Sequence, residues 1–161
     1  MILKGSATNI TSTASNFSRA TRIRVSATNA GTVTVAAPVG TFNAASNVAA
    51  AAITISSHGF VTGDEVIYSD GGGTAIAELA DGGHYFVTKV DANTVNLSTL
   101  LEGTAISLTD GSSQNHTITA ANTYAGTVKL VANQVVIIDK KPGDTIAASA
   151  TMTGTAVGNQ P

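Results

Sequence analysis

The chain has 161 residues, a formal net charge of −2, 11% charged residues and neither Cys nor Trp, while Ala, Gly, Ser and Thr supply 80 positions. Without Cys there is no disulfide framework, thiolate metal site or Cys nucleophile. The charge balance gives no attraction for nucleic acid, and no apolar run approaches a membrane span. The core must come from Val, Ile, Leu and Phe, which is thin for a lone monomer and favours burial against other subunits.

Residues 1–18 are polar and rich in Ser, Thr and Asn, with Ile10 and Phe17 as candidate anchors. They read as an N-terminal docking arm held by neighbours, and the absence of an apolar stretch after Met1 predicts no secretory leader. Residues 21–27 alternate with period two, Asn29-Ala30-Gly31 supplies a turn, and 32–35 alternate again, which predicts a hairpin. Residues 48–52 offer a short helical turn at most. Between 52 and 118, short strands at 53–55, 64–68, 85–90, 94–97 and 105–108 are separated by Gly-rich loops, as in a small barrel or rolled sheet.

Strands are predicted again at 126–131 and 134–138, the second so apolar that it should be central and buried. A turn at Lys140-Lys141-Pro142-Gly143-Asp144 leads to strands at 145–150 and 155–157. The two outer blocks hold too few strands to stand alone. The expected fold is therefore all-β: a β-sandwich formed by residues 19–51 and 119–161, with a small β-barrel-like module inserted at 52–118.

Within the insert, His58-Gly59-Phe60, Gly63-Asp64-Glu65-Val66, Gly72-Gly73-Thr74-Ala75-Ile76, Tyr85-Phe86-Val87 and 90–97 (Val-Asp-Ala-Asn-Thr-Val-Asn-Leu) follow one another in fixed order. This pattern resembles a module recurrent in structural proteins of tailed bacteriophages. A similar module occurs in ubiquitin-activating enzymes, whose adenylation machinery has no counterpart here. Residues 126–146, a Val-rich strand followed by Lys-x-Pro-x-Asp-Thr-Ile, are similar to the end of small phage virion proteins. The resemblance implies a particle protein and brings no catalytic residues with it.

A search for chemistry agrees. His58, His84 and His116 are spaced unlike zinc ligands, and Asp64 and Glu65 point to opposite faces of one strand. Asp64 is better placed to close the Gly63 turn. The triple glycine at 71–73 lacks the Lys and helix of a phosphate loop. No cofactor, metal or catalytic residue is expected.

Arg19, Arg22 and Arg24 gather all the arginines beside the arm. The plain reading is a solvated strand face; the sharper one is a subunit contact with carboxylates, because the guanidinium fork suits buried pairs. With Ile10 and Phe17, these are the candidate contact residues. The expectation is a non-enzymatic virion component, a head decoration or cement-type or other accessory particle protein. It would partner copies of itself, as a trimer or ring, and other capsid or tail proteins. The alternative is a tail, neck or fibre component that binds a receptor or glycan.

Overall fold

The computed structural model describes residues 2–3, 6–121 and 123–158. Its strands are β1 (Ile2–Leu3), β2 (Thr8–Ile10), β3 (Arg22–Ser26), β4 (Gly31–Ala36), β5 (Val39–Asn43), β6 (Val48–Ala49), β7 (Ala52–Thr54) and β8 (Glu65–Ser69). They continue with β9 (His84–Lys89), β10 (Thr94–Ser98), β11 (Asn115–Ala120), β12 (Gly126–Leu130), β13 (Val135–Asp139), β14 (Thr145–Ala148) and β15 (Met152–Gly158). A 3-10 turn spans Phe17–Arg19. The fold is all-β and divides into two compact units, Met1–Ala37 with Thr123–Pro161, and Pro38–Asn122.

The first unit is a sandwich. One sheet runs β1-β15-β3-β13, with β2 also on β15, and the other runs β12-β4-β14. Period-two alternation sends Ile23 and Val25 of β3 inward and Arg22 and Arg24 outward. They join Val33, Val35, Leu130, Ile146 and Met152 in one core. The strands β3 and β4, expected to form a hairpin, lie in different sheets. Each finds its partners beyond residue 122 instead: β3 pairs with β13 and β15, and β4 with β12 and β14.

The docking-arm expectation is corrected for the described residues of 1–18; Met1, Lys4 and Gly5 lie outside them. Ile2–Leu3 and Thr8–Ile10 pair with β15, and Ile10 is buried in the core. Ser15 exchanges two backbone hydrogen bonds with Ile146, and Ala148 N–H donates to Thr11 O at 2.7 Å. The arm closes one flank of its own sandwich, because its backbone finds β14 and β15 edges to satisfy it.

The 134–138 segment is likewise not central. As β13 it pairs only with β3 and forms the edge of its sheet. Val136 and Ile138 face the core while Val135 and Ile137 face outward.

The second unit is one antiparallel sheet in the order β5-β11-β8-β9-β10-β7-β6. Phe42, Ile53, Val66, Tyr68, Val87, Val95, Leu97 and Ile118 from successive strands meet in one core, so the sheet curls around it. The insert begins at Pro38 and not at 52, because β5 pairs with β11 along five residues. The strand β11, unread in the sequence, lies between β5 and β8. Residues 48–52 form the β6–β7 hairpin, turning at Ala50 with φ 52°. The predicted 105–108 strand is an extended segment tied by Ile106 N–H to Leu97 O and Leu108 N–H to Ala50 O.

Candidate interaction surface

Polar residues between His58 and Asn93 hold the second unit together by its backbone. His58 is buried; its Nδ1 accepts from Phe60 N–H at 3.0 Å, which leaves Nε2 to donate to Asp91 O at 3.1 Å. The ring thereby clips the loop after β7 onto the turn after β9. That turn is closed by Asp91, which accepts from Asn93 N–H, while Asn93 Oδ1 accepts from Ser57 N–H. Asp64 Oδ2 accepts from Val61 N–H at 2.9 Å, the turn-closing role its sequence position predicts. Glu65 and His84 meet at 2.8 Å on the surface.

Deeper in the same unit, Tyr68 Oη accepts from Ile76 N–H and lies 2.6 Å from His116 Nδ1. Both side chains are fully buried, and desolvation holds the His116 ring below its ordinary pKa. Gln114 donates to the carbonyls of Asp70 and Thr74, tying down the Gly-rich loop. A Cβ built on Gly73 would overlap the Gln114 amide, so a side chain there would push that amide off its carbonyl partners. These contacts shape the loops of the second unit. Among the described residues, no group of three His, Asp or Glu is placed to hold a metal.

The first unit offers a different surface. Its β2–β14 flank is closed by Ser15, whereas on the opposite flank β12 and β13 both end their sheets unpaired. The β12–β13 connection crosses from one sheet to the other, fixed by Asn133 N–H to Ala27 O and Ala27 N–H to Gln134 O. The sheets part beyond it and leave a slot of about 390 Å³ lined by Val33, Val35, Val128, Val136 and Ile138. Core residues thus line an opening. Gly126 at its mouth has no side chain, and a Cβ there would meet nothing within 4 Å. Val128 is 38% exposed, and Ile137 (44%) and Tyr124 (56%) also line it.

The predicted contact residues fall into two groups. Ile10 is core, and Phe17 packs partly buried against that core. Arg22 and Arg24 lie on the outer face of β3, opposite Asp139 and Ile137 of β13. Arg22 makes a forked contact with Asp139, Nε at 2.6 Å and Nη2 at 3.3 Å, which holds the carboxyl below its ordinary range. The pair is exposed and adds little to stability. Arg24 donates to Ser26 Oγ at 3.0 Å. Arg19 lies in the 3-10 turn with φ 58°.

Missed in the sequence were Tyr124, Val128 and the outward residues of β13. The signal was available: a strand apolar on both faces, when it is also an edge, is missing a partner. No family model, no curated protein and no solved structure matches the chain.

Proposed function

We propose that this chain is a non-enzymatic structural component of a bacteriophage virion, a head-decoration or other accessory particle protein that assembles with copies of itself. The observation that carries the self-assembly is the open flank of the first unit. Two strand edges and a slot lined by core residues face solvent together, which is unfinished sandwich. A second copy completes it, because it brings the same two edges and the same Val-rich surface. Antiparallel pairing of β12 with its copy about Val128 sets Lys129 opposite Thr127, so no like charges meet. A head-to-tail contact of β12 on β13 instead closes the trimer or ring expected from the sequence.

The phage assignment rests on the ordered pattern between His58 and Leu97, whose residues serve the fold by latching loops. The receptor- or glycan-binding alternative calls for exposed aromatic platforms; Tyr68, Tyr85, Phe42 and Phe60 are buried, which leaves Tyr124 as the exposed tyrosine available for that role.

Two measurements test the reading. Light scattering of the purified protein should give a closed oligomer, and the V135D/I137D double variant a folded monomer. A wild-type monomer at high concentration would overturn the self-assembly. Antibody labelling of phage particles in electron microscopy should decorate the shell, whereas label at one vertex or a fibre tip would move the protein to the tail apparatus.

A further inference from the structure

The Gly-rich loop between β8 and β9 turns at Gly71 and Gly72, whose φ values are 68° and 83°. Gln114 and Tyr68 hold it to the rest of the unit. Gln114 Nε2 donates to Asp70 O at 3.1 Å and Thr74 O at 3.4 Å, and Tyr68 Oη accepts from Ile76 N–H at 3.1 Å. Both side chains also meet one imidazole: His116 Nδ1 lies 2.6 Å from Tyr68 Oη, and its Nε2 lies 3.2 Å from Gln114 Nε2.

The two loop carbonyls decide where the ring carries its proton. They accept hydrogen bonds, so the Gln114 end that faces them is the NH2, which has donors alone. His116 Nε2, beside that NH2, is then the bare, accepting nitrogen, and the single ring proton sits on Nδ1 and is donated to Tyr68 Oη. The ring is fully buried. Around it β5 supplies Phe42 and the segment before β11 supplies Gly111, neither of which titrates. The titratable groups that bear on it are Tyr68 of β8 and Asp70 of the loop; desolvation outweighs the Asp70 charge and keeps the ring neutral at pH 7. A second proton, on Nε2, points an N–H at the Gln114 NH2, donor against donor. Turning the amide over to offer its oxygen sets that oxygen against the Asp70 and Thr74 carbonyls. Either way both carbonyls lose their donor, while the Gln114 backbone stays fixed by Ala44 N–H.

We infer that His116 and Gln114 form an acid-released latch on the 70–76 loop: protonation of the buried ring expels the Gln114 amide and frees the loop, while the sheet beneath persists. Opening bares Ile76, which is 1% exposed when the loop is closed. The charge of one imidazole thus controls whether an apolar side chain meets solvent. The latch owes nothing to the virion reading.

The test is amide hydrogen exchange of the intact protein between about pH 7.5 and 4.5, with rates corrected for the intrinsic effect of pH. Below about pH 6.5 the open form binds a proton that the closed form refuses, so its population rises about tenfold per pH unit until the closed ring titrates. Amides of residues 71–76 should lose protection by that factor while those of β9 and β10 keep theirs. His116→Phe should abolish the acid response, and Gln114→Ala should leave the loop equally unprotected across the range. The wild-type ring's own NMR titration reads the latch even if His116→Phe fails to fold: its shift and those of the loop amides should share one midpoint below 6.5. A loop that stays protected while the ring titrates, a ring neutral throughout the range, or an acid response that survives His116→Phe overturns the latch. So does protection lost from β9 and β10 together with the loop.

Discussion

At the scale of single residues, buried polar side chains in this protein act on backbone, and their loss should read as stability. Tyr68→Phe strands His116 Nδ1 and the Ile76 N–H without their partner. It should cost about 1–3 kcal/mol in denaturant unfolding of the second unit. His116 adds a pH dependence. Its folded pKa lies below 6.5, so the unfolded chain takes up the proton first as pH falls. Stability is full above about 6.5 and declines as pH drops through the depressed value, which amide exchange in the second unit would follow. Lys140 works in the alkaline range. With a folded value of about 8 against 10.5, the unfolded chain binds more protons between them, so stability of the first unit rises with pH across that window. Asp64 was legible in the sequence because turn chemistry is local. The His58–Asp91 clip was not, since it joins loops more than thirty residues apart.

At the scale of elements, the N-terminal strands are structural. Ile10→Ala should cost about 2–5 kcal/mol, because it opens a cavity between β2 and β15. Deletion of residues 1–18 should unfold the first unit in circular dichroism instead of merely abolishing attachment. Period-two patterns located β3, β4, β8, β9 and β10 because one face of each is buried. They misjudged β13, where a continuous apolar run suggests burial on both faces while the sheet supplies only β3 as neighbour. The β11 sequence Asn-His-Thr-Ile-Thr-Ala escaped because its inward residue His116 is polar, made tolerable in the core by Tyr68.

At the scale of the whole molecule, the discontinuous sandwich with an insert was legible in the change of texture along the chain, but the boundary at 38 depended on strand pairing with β11. The insert leaves and re-enters through neighbours. Val35 is paired with Gly126 in the first unit, and Val39 with Thr119 in the second. Replacing residues 38–122 by a short Gly/Ser turn should therefore leave a cooperative transition for the first unit, measurable by calorimetry.

The same pairing dictates an order of events during synthesis. Among the described strands of the first unit, β1 to β4 find no partners in one another; each waits for β12 to β15. The emerging N-terminal segment has nothing to pair with while residues 38–122 are translated. Closing a loop of that length from an unstructured chain costs roughly 4 kcal/mol. Once the insert has folded, its two ends are already joined, Ala120 N–H donating to Pro38 O, so that cost has been met. The inserted unit thus sets the timing for the sandwich that carries it. Tyr68→Phe, made in the insert, should slow refolding of the sandwich, and the excised variant should refold without that delay in stopped-flow measurements.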